Sequence, residues 1–361
     1  MKSFRIAFAA GILAAAMGSI APAHSSDEGS KPAHAAAKSP GSHGFDFLFG
    51  EWRVRHRRVQ ADTHKWVEFD GTCSVRPLMG GSANLEEQVL NAPNGAYRAV
   101  GLRTYDAKTG QWSIRWLDGR YPSYPLDPPV KGSFENGVGA FYSDYVANGK
   151  PMRVRFIWSH ITPTSARWEQ ASSSDVGKTW DTNWIMEFQR ASARPSRDVA
   201  KPTQAAASLT GPRDFDFLVG DWRVDHRYIR ASTREWADID GTYDNRPLMG
   251  GWANVEEHWM NAPSGAYRAV GLRAYDPKTE QWSIWWLDGR DPSGNIDPPV
   301  KGRFENGVGA FFGDITLNGK PMRVRFIWSH ITPTSARWEQ AYSADAGKTW
   351  ETNWTMNFQR R

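Results

Sequence analysis

The chain has one cysteine, Cys73, in 361 residues. An internal disulfide is therefore impossible, and a small cross-linked scaffold is excluded. Beyond Ile20 no run reaches the roughly 18 apolar residues that a membrane-spanning helix needs. Spacings of the types His-x-His, Cys-x-x-Cys and His-Glu-x-x-His are missing, so no compact metal site is expected, although one assembled from distant strands stays open. Phosphate loop, dinucleotide fingerprint and nucleophile elbow are missing too, and no cofactor is expected. Charge of one sign is not in large excess: 44 Lys+Arg stand against 39 Asp+Glu, for a net +5. The two signs are interspersed, which gives no reason to expect a nucleic-acid partner.

Aromatic residues are plentiful, with 19 Trp, 17 Phe and 11 Tyr. That much apolar surface offsets the entropy of ordering the chain and excludes general disorder. At about 100 to 200 residues per domain, the length suggests two domains.

The first residues, Met1-Lys2-Ser3-Phe4-Arg5, are followed by an apolar stretch from Ile6 to Ile20 and then Ala21-Pro22-Ala23. A basic start, a short apolar run and small residues form the order of a secretory signal, with cleavage expected after Ala23. The mature protein is then expected to be periplasmic or secreted, with no membrane insertion after cleavage. Residues 24–44 are Ala, Ser, Pro, Lys and His without periodicity, and read as a flexible lead. Its histidines, His24, His34 and His43, sit at spacings that no compact metal site demands.

Displacing the sequence by 170 residues aligns Phe45-Asp46-Phe47-Leu48 with Phe215-Asp216-Phe217-Leu218, and the match runs on to Phe188-Gln189-Arg190 and Phe358-Gln359-Arg360. Roughly 105 of about 146 aligned positions are identical, so the chain is one domain written twice. The units are residues 45–190 and 215–361, joined by an Ala/Pro/Ser-rich linker over 191–214. Residues 55–90 differ from their counterparts at about half their positions, whereas 127–170 hardly differ.

Within each unit the period is two. Val154, Phe156, Trp158 and His160 alternate with Arg153, Arg155 and Ser159; Trp184, Met186 and Phe188 alternate likewise, as do Trp112, Ile114 and Trp116. Turn signals such as Glu135-Asn136-Gly137 and Thr162-Pro163-Thr164 separate these runs. The expected fold is all-β: two tandem antiparallel barrels of about 8–10 strands each.

The opening Phe45-Asp46-Phe47-Leu48-Phe49-Gly50-Glu51-Trp52-Arg53-Val54, with Gly101-Leu102-Arg103-Thr104-Tyr105-Asp106 and Gln111-Trp112, resembles lipocalin-like domains of the calycin superfamily found in bacterial proteins of unknown function. The resemblance implies that Gly50 and Trp52, and Gly220 and Trp222, close one end of each barrel. It covers both copies but is poorly specific for function, since the superfamily includes carriers, haem binders and a few enzymes. A second likeness is local: Ser173-Ser174-Asp175-Val176-Gly177-Lys178-Thr179-Trp180, repeated at 343–350, resembles the Asp-box of sialidases and other propellers. Two boxes in two long repeats do not make a propeller, and the box is read as turn chemistry.

Alternation from Trp52 and Val54 places His56 inside the barrel, and His226 likewise. The same rule applied to 153–160 sends His160 and His330 inward. Two interior histidines would suit acid–base work or ligand binding; the alternative is a hydrogen-bonded rim histidine. Of Glu86 and Glu87, and of Glu256 and Glu257, one must face inward and one outward, and the pattern leaves open which. Asp118 and Asp288 are candidates for the barrel mouth. Arg103, Arg167, Arg273 and Arg337 are candidate anchors for an acid group, or else partners in structural latches. Trp112, Trp116 and Trp158, with Trp282, Trp286 and Trp328, are core with the option of stacking on a ligand. Trp252, Trp259 and Trp285 replace Ser82, Val89 and Arg115, so the two pockets are expected to differ.

The function expected first is binding of a small, partly aromatic or amphipathic organic ligand. The alternatives are a cofactor-independent isomerase, lyase or cyclase using the His and Glu residues, and a structural or partner-binding module whose barrels are filled by their own side chains. Oligomeric state is not legible.

Overall fold

The computed structural model describes residues 40–147, 149–191, 211–230, 233–317 and 319–361. The expected signal segment, the lead as far as residue 39 and the linker from 192 to 210 lie outside the described residues. Each copy is a closed barrel of ten antiparallel strands joined in sequence order. In the first copy they are β1 (Gly50–Val59), β2 (Trp66–Leu78), β3 (Ala83–Leu90), β4 (Tyr97–Asp106), β5 (Gln111–Asp118), β6 (Val130–Glu135), β7 (Val138–Ala147), β8 (Lys150–Ser159), β9 (Ser165–Ser173) and β10 (Asp181–Arg190). In the second they are β11 (Gly220–Ile229), β12 (Trp236–Leu248), β13 (Ala253–Met260), β14 (Tyr267–Asp276), β15 (Gln281–Asp288), β16 (Val300–Glu305), β17 (Val308–Leu317), β18 (Lys320–Ser329), β19 (Ser335–Ser343) and β20 (Glu351–Arg360).

The sequence signals act locally as expected. Along β1 the buried Trp52, Val54 and His56 alternate with exposed Glu51, Arg53 and Arg55. Between β6 and β7, Asn136 and Gly137 both have positive φ, 50° and 77°. A two-residue turn of that hand matches the twist of the strands it joins, and Asn-Gly is the pair that tolerates it. The box at 173–180 is a turn as well: Asp175 accepts from the backbone N–H groups of Lys178 (3.0 Å) and Thr179 (2.9 Å) and from the Thr179 hydroxyl (2.7 Å).

One end of each barrel is plugged. The 3-10 turn Asp46–Leu48 carries Phe45 into the interior, with ring centroids 5.0 Å from Trp112, 4.9 Å from Phe134 and 5.6 Å from Phe141. The Trp52 indole donates to Leu48 O at 2.7 Å. Arg190 lies 4.0 Å over the Trp52 ring and donates to Phe49 O (2.5 Å) and Phe47 O (2.7 Å). Trp222, Leu218 and Arg360 repeat this arrangement in the second barrel. The last residues of the expected lead are part of the plug: Pro40–His43 form a 3-10 turn, and Gly41 O accepts from the Trp112 indole at 2.9 Å.

The outer faces of β3–β5 and β13–β15 pack on each other. Leu85, Val100, Leu102 and Leu117 join Val255, Val270, Leu272 and Leu287 in one buried cluster. The polar contacts are reciprocal. Glu257 Oε2 accepts from Met79 N at 2.6 Å, and Glu87 Oε2 accepts from Met249 N at 3.0 Å. Ser293 reaches Asp106 (2.9 Å), and Ser123 reaches Asp276 (2.7 Å). Arg115 breaks the symmetry, donating to Pro292 O (3.2 Å) and Gly294 O (2.5 Å) from a position that is Trp285 in the other copy. This contact corrects one expectation. Trp252 and Trp285 belong to the interface, and Trp259 lies on the outer wall under Arg268, so none of the three distinguishes the barrel interiors.

The plug predicts its own test. Replacing buried Trp52 with alanine removes a large ring and a hydrogen bond, and should destabilise the first barrel by about 3–5 kcal/mol in chemical denaturation. A loss below about 1 kcal/mol would contradict the role given to it.

Candidate functional site

The end opposite the plug carries a second set of inward-facing rings. There β1 places His56, β2 Phe69, β5 Trp116, β8 Phe156, β9 Trp168 and β10 Trp184 on the inner wall. Trp116, Phe69 and Phe156 face inward and stay partly exposed, while Trp168 and Trp184 beside them are buried. Trp168 and Trp184 meet edge-on at 5.6 Å, and Trp116 and Trp184 at 6.1 Å. The rim is basic. Arg58 lies 4.2 Å over Trp184 and donates to the Tyr97 hydroxyl at 3.1 Å. Arg120 lies 3.8 Å over Tyr97 and is held by Asp118.

His56 sits just beneath these rings, fully buried and stacked on Phe69 at 4.7 Å with 9° between planes. Gly71 makes room for it, because a Cβ there would come within 2.8 Å of His56 Nε2. The Trp184 indole lies 3.3 Å from His56 Nδ1. An indole N–H can only donate, so Nδ1 accepts and the imidazole proton resides on Nε2. Nε2 is buried without a hydrogen-bond partner among the described residues. Burial first, and the Arg58 charge second, push the His56 pKa down to about 3, so the ring is neutral at pH 7. In the second barrel Trp354 stands 3.3 Å from His226 Nδ1, His226 Nε2 is likewise unpartnered, and burial together with His258 lowers its pKa to about 3.

Below the histidine lies a polar layer. Glu86 is the inward carboxylate; it pairs with buried Arg103 and accepts from Gln88. Arg103 also donates to Asn84 at 3.0 Å and lies 4.8 Å over Phe45, tying this layer to the plug. In the second barrel Glu256 pairs with Arg273, which donates to Asn254 at 2.9 Å, and His258 Nε2 lies 3.3 Å from Glu256. Burial alone would raise the Glu256 pKa, but Arg273, His258 and Tyr243 outweigh it and bring it down to about 2. The Cys73 thiol, at the position of Tyr243, is pushed up to about 12 by burial and is therefore inert.

The candidate residues separate into distinct places. His56, Glu86, Arg103 and Trp116 share the interior of one barrel, as His226, Glu256, Arg273 and Trp286 share the other. Trp112, Trp158, Trp282 and Trp328 lie at the plugged end. Asp118 and Asp288 are at the rim, latched to Arg120 and Arg290. Glu87 and Glu257 face the interface.

His160 and His330 do not enter the interior. Each follows the last residue of its strand with φ near 50°, exposed and beside its own serine at 3.0 Å. The strand ends at Ser159, so alternation no longer dictates the next side chain. Arg167 and Arg337 lie on the outer wall, Arg167 between Glu169 and Glu187 and Arg337 between Glu339 and Asn357. Arg58, His258 and Tyr243 escaped the sequence reading. Alternation from Glu256 to His258, and from Gly241 to Tyr243, carried the signal for two of them.

No protein-family model matches the chain, and no curated protein matches its sequence. Among solved structures, a DUF3598-family protein of unknown function from Nostoc punctiforme is 11% identical, with 90% of this chain and 100% of that chain covered and a TM-score of 0.27. Rv2717c from M. tuberculosis is 12% identical over 43% of this chain and 99% of that chain, with a TM-score of 0.32. Transferrin Binding Protein B from Haemophilus parasuis is 8% identical over 86% and 75%, with a TM-score of 0.20.

The buried histidines predict a pH dependence. The folded chain holds His56 neutral down to about pH 3, while the unfolded chain takes up its proton near 6.5. The cost is therefore absent above pH 6.5 and grows as pH falls toward 3, to roughly 5 kcal/mol at about 1.4 kcal/mol per pKa unit. His56→Gln should flatten the acid limb of the stability profile measured by urea denaturation. Parallel profiles for the two proteins would contradict the assignment.

Proposed function

We propose that the protein is an exported binder of a small, partly aromatic or amphipathic organic molecule, taken up at the open end of calycin-type barrels. The observation that carries the reading is the pairing, in both barrels, of a partly exposed inward-facing tryptophan, Trp116 or Trp286, with a buried neutral histidine whose Nε2–H lacks a partner. Rings of this kind supply large stacking area, and the histidine supplies a fixed donor for an acceptor atom on the ligand. A buried donor left unpaired costs about 1–3 kcal/mol, so a ligand acceptor placed there gains more than an ordinary exposed hydrogen bond would give. Export, to the periplasm or beyond, is supported by the order of basic, apolar and small residues over 1–23.

The acid–base alternative fares worse on magnitude. A general acid or base works best with a pKa near the working pH. Here His56 and His226 are pushed to about 3 and Glu256 to about 2, away from neutrality. His160 and His330, the second members of the expected pairs, stand outside the barrels. Each interior carboxylate is engaged by a buried arginine, Glu86 by Arg103 and Glu256 by Arg273, and these pairs serve the packing of the polar layer.

Titration with anilinonaphthalene sulfonate, a fluorescent amphiphilic aromatic probe, tests the reading. Saturable enhancement is expected, and Trp116→Ala combined with Trp286→Ala should weaken it about tenfold, or about 1.4 kcal/mol, with the circular dichroism spectrum retained. Unchanged affinity in that variant, or no saturable binding by the parent, would overturn it.

A further inference from the structure

The two barrel mouths carry the same ion pair in duplicate, but not the same charge. Asp118 accepts from Arg120 at 2.9, 3.2 and 2.5 Å in the first copy, and Asp288 accepts from Arg290 at 3.0, 3.2 and 2.5 Å in the second. Arg120 lies 3.8 Å over Tyr97, and Arg290 lies 3.9 Å over Tyr267. Asp127 and Asp297, in the loops that follow, are also equivalent. These groups cancel when one mouth is compared with the other. Arg58 does not cancel, because its counterpart is Tyr228.

Parity along β1 decides where that exchange acts. Trp52, Val54 and His56 face inward, so Arg58, two residues on, belongs to the same face, and it is partly exposed. Its cross-strand neighbours are Val67 on β2 and Trp184 on β10, and neither can neutralise it. Among the described residues the carboxylates beside it are already engaged, Glu68 on the outer face by Arg55 and Arg57 and Asp118 by Arg120, and none pairs with Arg58. Arg58 is held instead by the Trp184 ring, 4.2 Å beneath it, and by the Tyr97 hydroxyl at 3.1 Å. A guanidinium fixed by a ring and a hydroxyl, with no acid to displace, keeps donors for an oxyanion. Trp116, the partly exposed ring of this mouth, packs against the same Trp184. In the second copy Tyr228 stands between Ala237 and Trp354 and meets Trp354 edge-on at 6.5 Å, which supplies a hydroxyl and no charge. The turns differ as well, with Asp62 and Lys65 against Arg230, Arg234 and Glu235, and Tyr121 against Asp291, but these groups are exposed beyond the strand ends, where solvent and salt screen them.

On the premise of ligand binding at the mouths, we infer that the two mouths discriminate by charge: the first takes a small aromatic anion, with its ring on Trp116 and its acid group on Arg58, and the second takes an uncharged aromatic molecule.

Two fluorescent probes test this. N-phenyl-1-naphthylamine is anilinonaphthalene sulfonate without the sulfonate, so the pair isolates the acid group. Dissociation constants are measured for both in Trp286→Ala, which weakens the second mouth, and in Trp116→Ala, which weakens the first. The preference for the sulfonate over the uncharged amine should be at least tenfold greater at the first mouth. Arg58→Tyr in the Trp286→Ala background should remove that preference and retain amine affinity, and Tyr228→Arg in the Trp116→Ala background should confer it on the second mouth. Equal preference at the two mouths, or a preference that neither exchange alters, would overturn charge discrimination and leave binding at the mouths standing. Failure of the parent to bind either probe would overturn both.

Discussion

The parity of strand β3 fixes most of this molecule. Adjacent residues on a strand face opposite ways, so the pair Glu86-Glu87 must divide between the two faces of the wall. Glu86 turns inward to Arg103 and anchors the polar layer; Glu87 turns outward and accepts from Met249 N of the other barrel. Glu256 and Glu257 divide in the same way. A slip of one residue would expose both ion pairs and bury the wrong carboxylates, at a cost of several kcal/mol per uncompensated charge. Interior and interface are thus held in register by the same two residues.

From this register follows a division between the ends of each barrel. Phe45, Trp52 and Trp112 fill the plugged end and are braced by Arg190, with its guanidinium 4.0 Å over Trp52 and its donors spent on backbone carbonyls. The opposite end keeps Phe69, Trp116 and Phe156 partly exposed and its histidine neutral. The polar layer between them is linked to the plug through Arg103 over Phe45. Mass at one end provides stability, which leaves the other free to present a surface.

The sequence was most legible where one face meets water and the other the core. Alternation along β1 placed Trp52, Val54 and His56 correctly, and Asn136-Gly137 marked its turn. It was least legible along β3, where Leu85 and Val89 on one side and Leu90 on the other gave no contrast, because the outer face is itself covered by the second barrel. For the same reason Trp252 and Trp285 looked like pocket residues when they are interface residues. His160 was misplaced because alternation was carried one residue beyond the end of a strand. The tautomer of His56 was beyond reach, since it depends on Trp184, which is distant in sequence and adjacent only through the closure of β1 on β10.

Duplication has left two barrels with the same frame and different linings: Cys73 and Gln88 in one, Tyr243 and His258 in the other, with Arg58 at one rim and Tyr228 at the other. If each mouth holds a small molecule, the two need not hold the same one. Native mass spectrometry of protein purified from its own source, compared with the denatured mass, addresses this most directly. Ligand binding at the mouths predicts one or two small adducts that leave on denaturation. Identical native and denatured masses, in a preparation that also fails to take up amphiphilic aromatic compounds, would contradict it.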